Sequence, residues 1–140
     1  MDYDPKKVVA TFCGVPVTGY AKGSFIKIEE AEDGFKKHVG ADGEVSRSKV
    51  NDDTCNVTIN LSQTSKSNVV LSAQYDLDKK TGKGKGPLLI KDLLGATLFF
   101  AKVAWIKKRA SVDFGEEIGT KEWGFDTGKA AFVNGGNNVV

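Results

Sequence analysis

Hydrophobic and polar residues alternate strictly along "CNVTINLS", Cys55 to Ser62. Cys55, Val57, Ile59 and Leu61 share one side, and Asn56, Thr58, Asn60 and Ser62 the other. That period of two predicts a half-buried strand. "IKIEE" repeats it, with Ile26 and Ile28 set against Lys27 and Glu29. "VVATFCGVPVTGYA" holds two short apolar runs around Gly14, so both cysteines, Cys13 and Cys55, fall in strand-like stretches. Pro16 predicts an edge strand, because it has no N–H to give a ladder. "PLLIKD" is short and apolar. "TLFFAKVAWI" places Phe99, Ala101, Val103 and Trp105 on one side and Leu98, Phe100, Ala104 and Ile106 on the other, broken by Lys102. This predicts a strand covered on both faces. "GEVSRSKV", "SVDFGEEI" and "KEWGFDTG" are further strand candidates, the last with Trp123 and Phe125 on one side.

The period changes once. Val70, Ala73 and Leu77 recur at helical spacing and predict a helix over about 67–80. Ser65 or Ser67 can cap its start, Lys79 and Lys80 suit the negative end of its dipole, and Gly82 can close it. "EDGF" and "ADGE" each hold an Asp-Gly turn pair, and the polar ribbon "FKKHV" lies between them. Residues 35–51 therefore read as a long exposed arm. The tail 134–140, "NGGNNVV", reads as loose.

Composition narrows the class. The 140 residues suit one domain, 1–140, with 40% apolar residues to build its core. Sixteen glycines and three prolines suit many strand-joining turns. The fold class expected is mainly β, a small antiparallel sandwich or barrel with one flanking helix. A net charge of +2, spread along the chain, is not that of a polycation built for nucleic acid. No apolar run is long enough for a membrane span, so no stable membrane association is expected. "MDYDPKKVV" lacks the apolar region of a signal peptide, which points to a cytoplasmic origin and free thiols.

Little in the chain predicts catalysis. His38, the only histidine, has no nucleophile or carboxylate in register. Two separated cysteines and one histidine make no zinc set. The run Glu29, Glu30, Glu32, Asp33 lacks the ligand alternation of a calcium loop and reads as a solvated turn. "TGKGKGP" lacks phosphate-loop spacing and follows its helix instead of preceding it. Its neighbourhood, Lys79, Lys80, Lys83 and Lys85, reads as a flexible basic loop, or as a contact for an acidic neighbouring surface. "WIKKRAS" adds Lys107, Lys108 and Arg109 without interleaved aromatics for base stacking. No enzyme, cofactor or metal is expected. One oddity remains: in a chain that is 27% charged, the polar side of Cys55–Ser62 carries no charge.

Four segments, "YDPKKVVATFCGVPVTGYAKGSF", "VGADGEVSRSK", "INLSQTSKSNVVLSA" and "DFGEEIGTKEWGF", together resemble the tail tube proteins of contractile-tailed bacteriophages. The resemblance runs in order over nearly the whole chain, from about Tyr3 to Val133. It implies a structural virion protein of the tail, assembled in the host bacterial cytoplasm. Six copies would form a ring whose inner strands join into one barrel, and rings would stack into a tube. The implied partners are the chain itself, the tail sheath, tape measure, baseplate and tail terminator proteins, and double-stranded DNA that passes without specific binding. Under this resemblance Thr58 and Asn60 are lumen-facing candidates, since a wall without cations lets polyanionic DNA slide. Phe35, Lys36, Lys37, Asp42, Glu44, Arg47 and Lys49 are candidates for an arm reaching the next ring. Lys79, Lys80, Lys83 and Lys85 are candidates for a basic contact. A tube from a related injection machine, such as a phage-like bacteriocin or a secretion system, is the alternative. A monomeric β-barrel that binds nucleic acid is the rival from another class.

Overall fold

A computed structural model describes residues 2–136 of the chain. A short 3-10 turn, Pro5–Lys7, leads into β1 (Val8–Phe12), β2 (Val15–Val17) and β3 (Ile26–Glu30). Next come β4 (Phe35–Val39), β5 (Val45–Lys49), β6 (Cys55–Ser62) and the helix α1 (Ser67–Thr81). The chain continues through β7 (Gly86–Asp92), β8 (Leu98–Lys108), β9 (Thr120–Thr127) and β10 (Ala130–Val133). The protein is mainly β, with every strand pair antiparallel.

The main sheet runs β2-β1-β7-β8-β9-β6-β3, and β10 also pairs with β8. The sheet folds over on itself, so that Phe12 of β1 meets Phe125 of β9 edge-on at 5.1 Å. Between the halves lies the core, in which Leu88, Phe99, Val57, Ile59, Leu61 and Phe125 are fully buried. The alternation of Cys55–Ser62 is realised, with the four apolar side chains buried and the four polar ones partly exposed. Pro16 lies in β2, at the edge of the sheet.

Three expectations of facing or strand state need correction. β8 does not alternate throughout. Leu88 and Gly86 of β7 face Ala101 and Ala104 of β8, so β8 carries one extra residue there. This bulge puts Phe99, Ala101, Ala104 and Ile106 inside and leaves Val103 exposed, instead of keeping Val103 with Phe99. The long strand thereby bends from one half of the sandwich to the other. Cys13 is not in a strand: it sits in the β1–β2 turn with φ +52°. "SVDFGEEI" forms no strand either, and residues 109–119 make an irregular loop between β8 and β9.

The helix spans the expected residues, but its buried side differs. Leu71 and Ser67 are buried, and Val70, Ala73 and Leu77 are exposed. Polar bonds set this rotation. Ser65 Oγ donates to the carbonyl of Thr18 at 2.6 Å and accepts the Ser67 N–H at 3.2 Å. Ser67 Oγ accepts the Thr18 N–H at 3.0 Å. Asn68 accepts the indole N–H of buried Trp123 at 2.9 Å. Gly82 ends α1 in the left-handed region, φ +71°, its N–H donating to Asp78.

Of the tail, residues 134–136 are described and 137–140 lie outside the described residues. Thr97 Oγ1 donates to Gly135 O and Ala96 N–H to Gly136 O, both at 2.8 Å. No helix among the described residues is long and apolar enough to cross a membrane.

Candidate assembly interfaces

β4 and β5 form a two-stranded ribbon of their own, with no ladder to the main sheet. Their register pairs Phe35 with Lys49, Lys37 with Arg47 and Val39 with Val45 on one face. Lys36 and His38 share the other face with Ser48 and Ser46. All ten residues are exposed. The guanidinium of Arg47 lies 4.2 Å from the Phe35 ring centre, and His38 Nε2 is 3.3 Å from Ser48 Oγ. At the tip, Asp42 accepts the Glu44 N–H at 3.1 Å and so shapes the turn. The arm candidates Phe35, Lys36, Lys37, Asp42, Glu44, Arg47 and Lys49 are thus gathered on one projecting element. An isolated hairpin is marginally stable in water. One with exposed Phe35, Val39 and Val45 gains order from a surface that covers them.

Thr58 and Asn60 lie on the outer face of the β3–β6–β9 half. Thr58 stands between Lys27 and Gly124, and Asn60 opposite Glu122. Asn60 Nδ2 donates to Ser24 O at 3.0 Å. The uncharged strip is therefore one strand wide. Lys27 pairs with Glu29 at 3.4 Å on one side of it. On the other, Lys107 reaches across Gly124 to within 3.8 Å of Asp126. Lys27, Lys107 and Lys108, the last opposite Gly124, face Glu29, Glu122 and Asp126, so the cations beside the strip are matched by acids. Sequence periodicity sees one strand at a time and misses these neighbours.

The basic loop is pinned, not free. Gly84 is buried, and its carbonyl accepts from Gln74 Nε2 at 2.9 Å. Lys79, Lys80, Lys83 and Lys85 are exposed around it, and Lys79 Nζ sits 5.9 Å from the Tyr75 ring centre. Arg109 is held to α1 by Asp76 and lies over Tyr75. The Cys13 thiol packs here against Gly86 and receives Gln74 Nε2 at 3.5 Å. Burial chiefly, then the charge of Asp78, pushes that thiol's pKa up. Both cysteines are free thiols. Among the described residues, no group of three or more His, Cys, Asp or Glu is placed to hold a metal ion.

Two exposed features escaped the sequence reading. Leu89 and Phe100 pair on the outer face of β7 and β8, beside exposed Val9, Leu98 and Val133. The 109–119 loop exposes Val112, Phe114 and Ile118. For β8 the alternation set Leu98 and Phe100 opposite Phe99 but predicted both faces covered, and the outer face is open; for the loop, the predicted strand does not form. The backbone edges of β2 and β3 are also unpaired in the sheet.

The family described as bacteriophage PhiTE tail tube protein matches residues 8–135. The chain belongs to that family. It is a structural protein of a phage tail tube, and its place is the virion tail. The chain is 31% identical over 126 residues to "Structural protein ORF10" of Pseudomonas phage KPP10, covering 89% of this chain and 73% of that protein. Its fold is similar to a solved cap of the anti-feeding prophage, an AFP tube terminating cap. The TM-score is 0.59 at 12% identity, over 95% of this chain and 91% of the other.

Proposed function

We infer that six copies of this tube subunit close into a ring through the edges of β2 and β3, and that rings stack into the hollow inner tube of a contractile tail. The observation that carries this reading is the unpaired edge that β2 and β3 each leave at the two ends of the strand order in a chain of the tail tube family. Free edges invite uncontrolled pairing unless something closes them. A head-to-tail contact that returns on itself after a fixed rotation closes the β2 and β3 edges of every copy. The exposed apolar residues Leu89, Phe100, Val70 and Leu77 fit burial by sister copies. In the same reading the sheath surrounds the tube, and tape measure, baseplate and terminator proteins meet its bore and ends. The fold likeness to an anti-feeding prophage cap also fits a tube of a related injection machine, without favouring it.

The bore is assigned to the outer face around Thr58 and Asn60. Duplex DNA carries about one negative charge per 1.7 Å of axis, so a bore lined with cations would grip it. The uncharged strip, with its bordering lysines each matched by an acid, suits free passage.

Electron microscopy of the purified chain tests assembly: six-fold rings or hollow rods are expected. A monomer that binds oligonucleotides with steep salt dependence would mean a nucleic-acid module instead. Phage carrying Thr58→Lys or Asn60→Lys should assemble tails and eject DNA more slowly. Ejection at the normal rate by both variants would move the bore to another face.

A further inference from the structure

The hairpin and the 109–119 loop lie at opposite ends of the same strands. β6 starts just after the hairpin and ends at Ser62, whose antiparallel partner is Thr120, the first residue after the loop. Gln63 clamps the loop there: its N–H donates to Gly119 O at 3.0 Å, and its Oε1 accepts the Gly119 N–H at 2.8 Å. Eight residues of strand set the two features roughly 23 Å apart, at 3.3 Å per residue. They are attached at opposite ends of β6, so a contact between them is drawn between two copies.

Their chemistry matches. One hairpin face carries exposed Phe35, Val39 and Val45 among Lys37, Arg47 and Lys49. The loop exposes Val112 (63%), Phe114 (83%) and Ile118 (72%). Asp113, Glu116 and Glu117 lie among them, and no cation occurs between Ala110 and Thr120. These acids, with Ser111, Gln63 and Lys121, border a cleft of about 450 Å³. Apolar side chains so exposed are candidates for a contact surface. Opposite charge fixes which surface they meet and in what register.

We propose that the hairpin of one copy docks on the 109–119 loop of a second copy, and that this is the contact that stacks ring on ring. This rests on the tube reading above and assigns the receiving surface. Phe35, Val39 and Val45 pack on Val112, Phe114 and Ile118, while Lys37, Arg47 and Lys49 meet Asp113, Glu116 and Glu117. The contact joins unlike ends, so each added copy exposes a fresh loop or a fresh hairpin, and growth stays open.

Charge reversal tests it. The Asp113→Lys, Glu116→Lys, Glu117→Lys chain should form rings that do not stack, with the critical concentration for rods raised at least ~10-fold. Lys37→Glu, Arg47→Glu, Lys49→Glu should do the same, and a chain with all six reversals should regain rods. Carbodiimide cross-linking of unaltered rods, mapped by mass spectrometry, should join Lys37 or Lys49 to Asp113, Glu116 or Glu117 of another copy. That map decides the matter if a reversed chain misfolds. Stacking at the unaltered critical concentration, or rods without such links, overturns the contact. Unaltered rings that never stack also overturn it alone. A chain that forms neither rings nor rods overturns the tube reading, and this inference with it.

Discussion

A methyl group on Gly84 would stand 2.4 Å from Asp78 Cβ and 2.5 Å from the Gln74 carbonyl oxygen, so the loop after α1 rests on glycine. Gly84→Ala should cost about 1–3 kcal/mol, the usual penalty for overpacking. Gly34→Ala, where nothing lies within 4 Å, should stay near neutral, and urea unfolding of the unassembled chain would compare them. The thiol of buried Cys55 gives a pH signature. Burial chiefly, then the charges of Glu30, Asp52 and Asp53, raise its pKa. Below the ordinary thiol range, near about 8.5, the folded and unfolded chains both hold the proton, and stability is full. As pH rises through that range towards the folded value, the unfolded chain loses its proton first. Stability then falls, with a slope approaching about 1.4 kcal/mol per pH unit for one thiol. Cys55→Ala should remove that share of the decline between pH 8 and 9.5. An unchanged slope would mean that the thiol ionises alike in both states. The alternation around Cys55 was legible in the sequence. The special place of Gly84 was not, because its constraint comes from a helix turn folded back on it.

At the scale of elements, the hairpin is separable from the sandwich. Its ten strand residues are exposed and its ladder is its own, so it adds nothing to the buried core. Replacing residues 35–49 by a short Gly-Asn turn should move the thermal midpoint by a few degrees at most, which for a chain of this length is about 1 kcal/mol. The same deletion should abolish rods. A large loss of stability would show that the arm packs on its own subunit. Asp-Gly pairs announced this hairpin because a tight turn has a local chemical signature. The helix shows the opposite case. Val70, Ala73 and Leu77 gave its period and its span, yet Leu71 and Ser67 face the core. Its rotation is set by Asn68, which receives the Trp123 indole, and by the serines that hold Thr18. Helical spacing cannot weigh such long-range polar bonds. Nor does alternation in β8 reveal the bulge, since one extra residue reverses every later side chain.

At the scale of the whole molecule, the same bulged strand separates two kinds of apolar residue that look alike in the sequence. Phe99 is fully buried, while its neighbour Phe100 is 42% exposed on the outer face, opposite Leu89. A self-contained domain gains nothing from that arrangement, whereas the proposed ring would bury the outer face against a sister copy. The two residues should therefore fail differently. Phe99→Ala empties part of the core and should cost about 3–5 kcal/mol in the isolated chain. Phe100→Glu should change the stability of the isolated chain by less than about 1 kcal/mol, as a surface substitution does, yet leave it monomeric. Sedimentation velocity beside urea unfolding reads both effects on the same samples. Should Phe100→Glu form rings at the unaltered concentration, the outer face of β7 and β8 lies outside the contact between sister copies. The ring would then have to close through the strand edges alone, and the exposed apolar patch would be left for the surroundings of the tube.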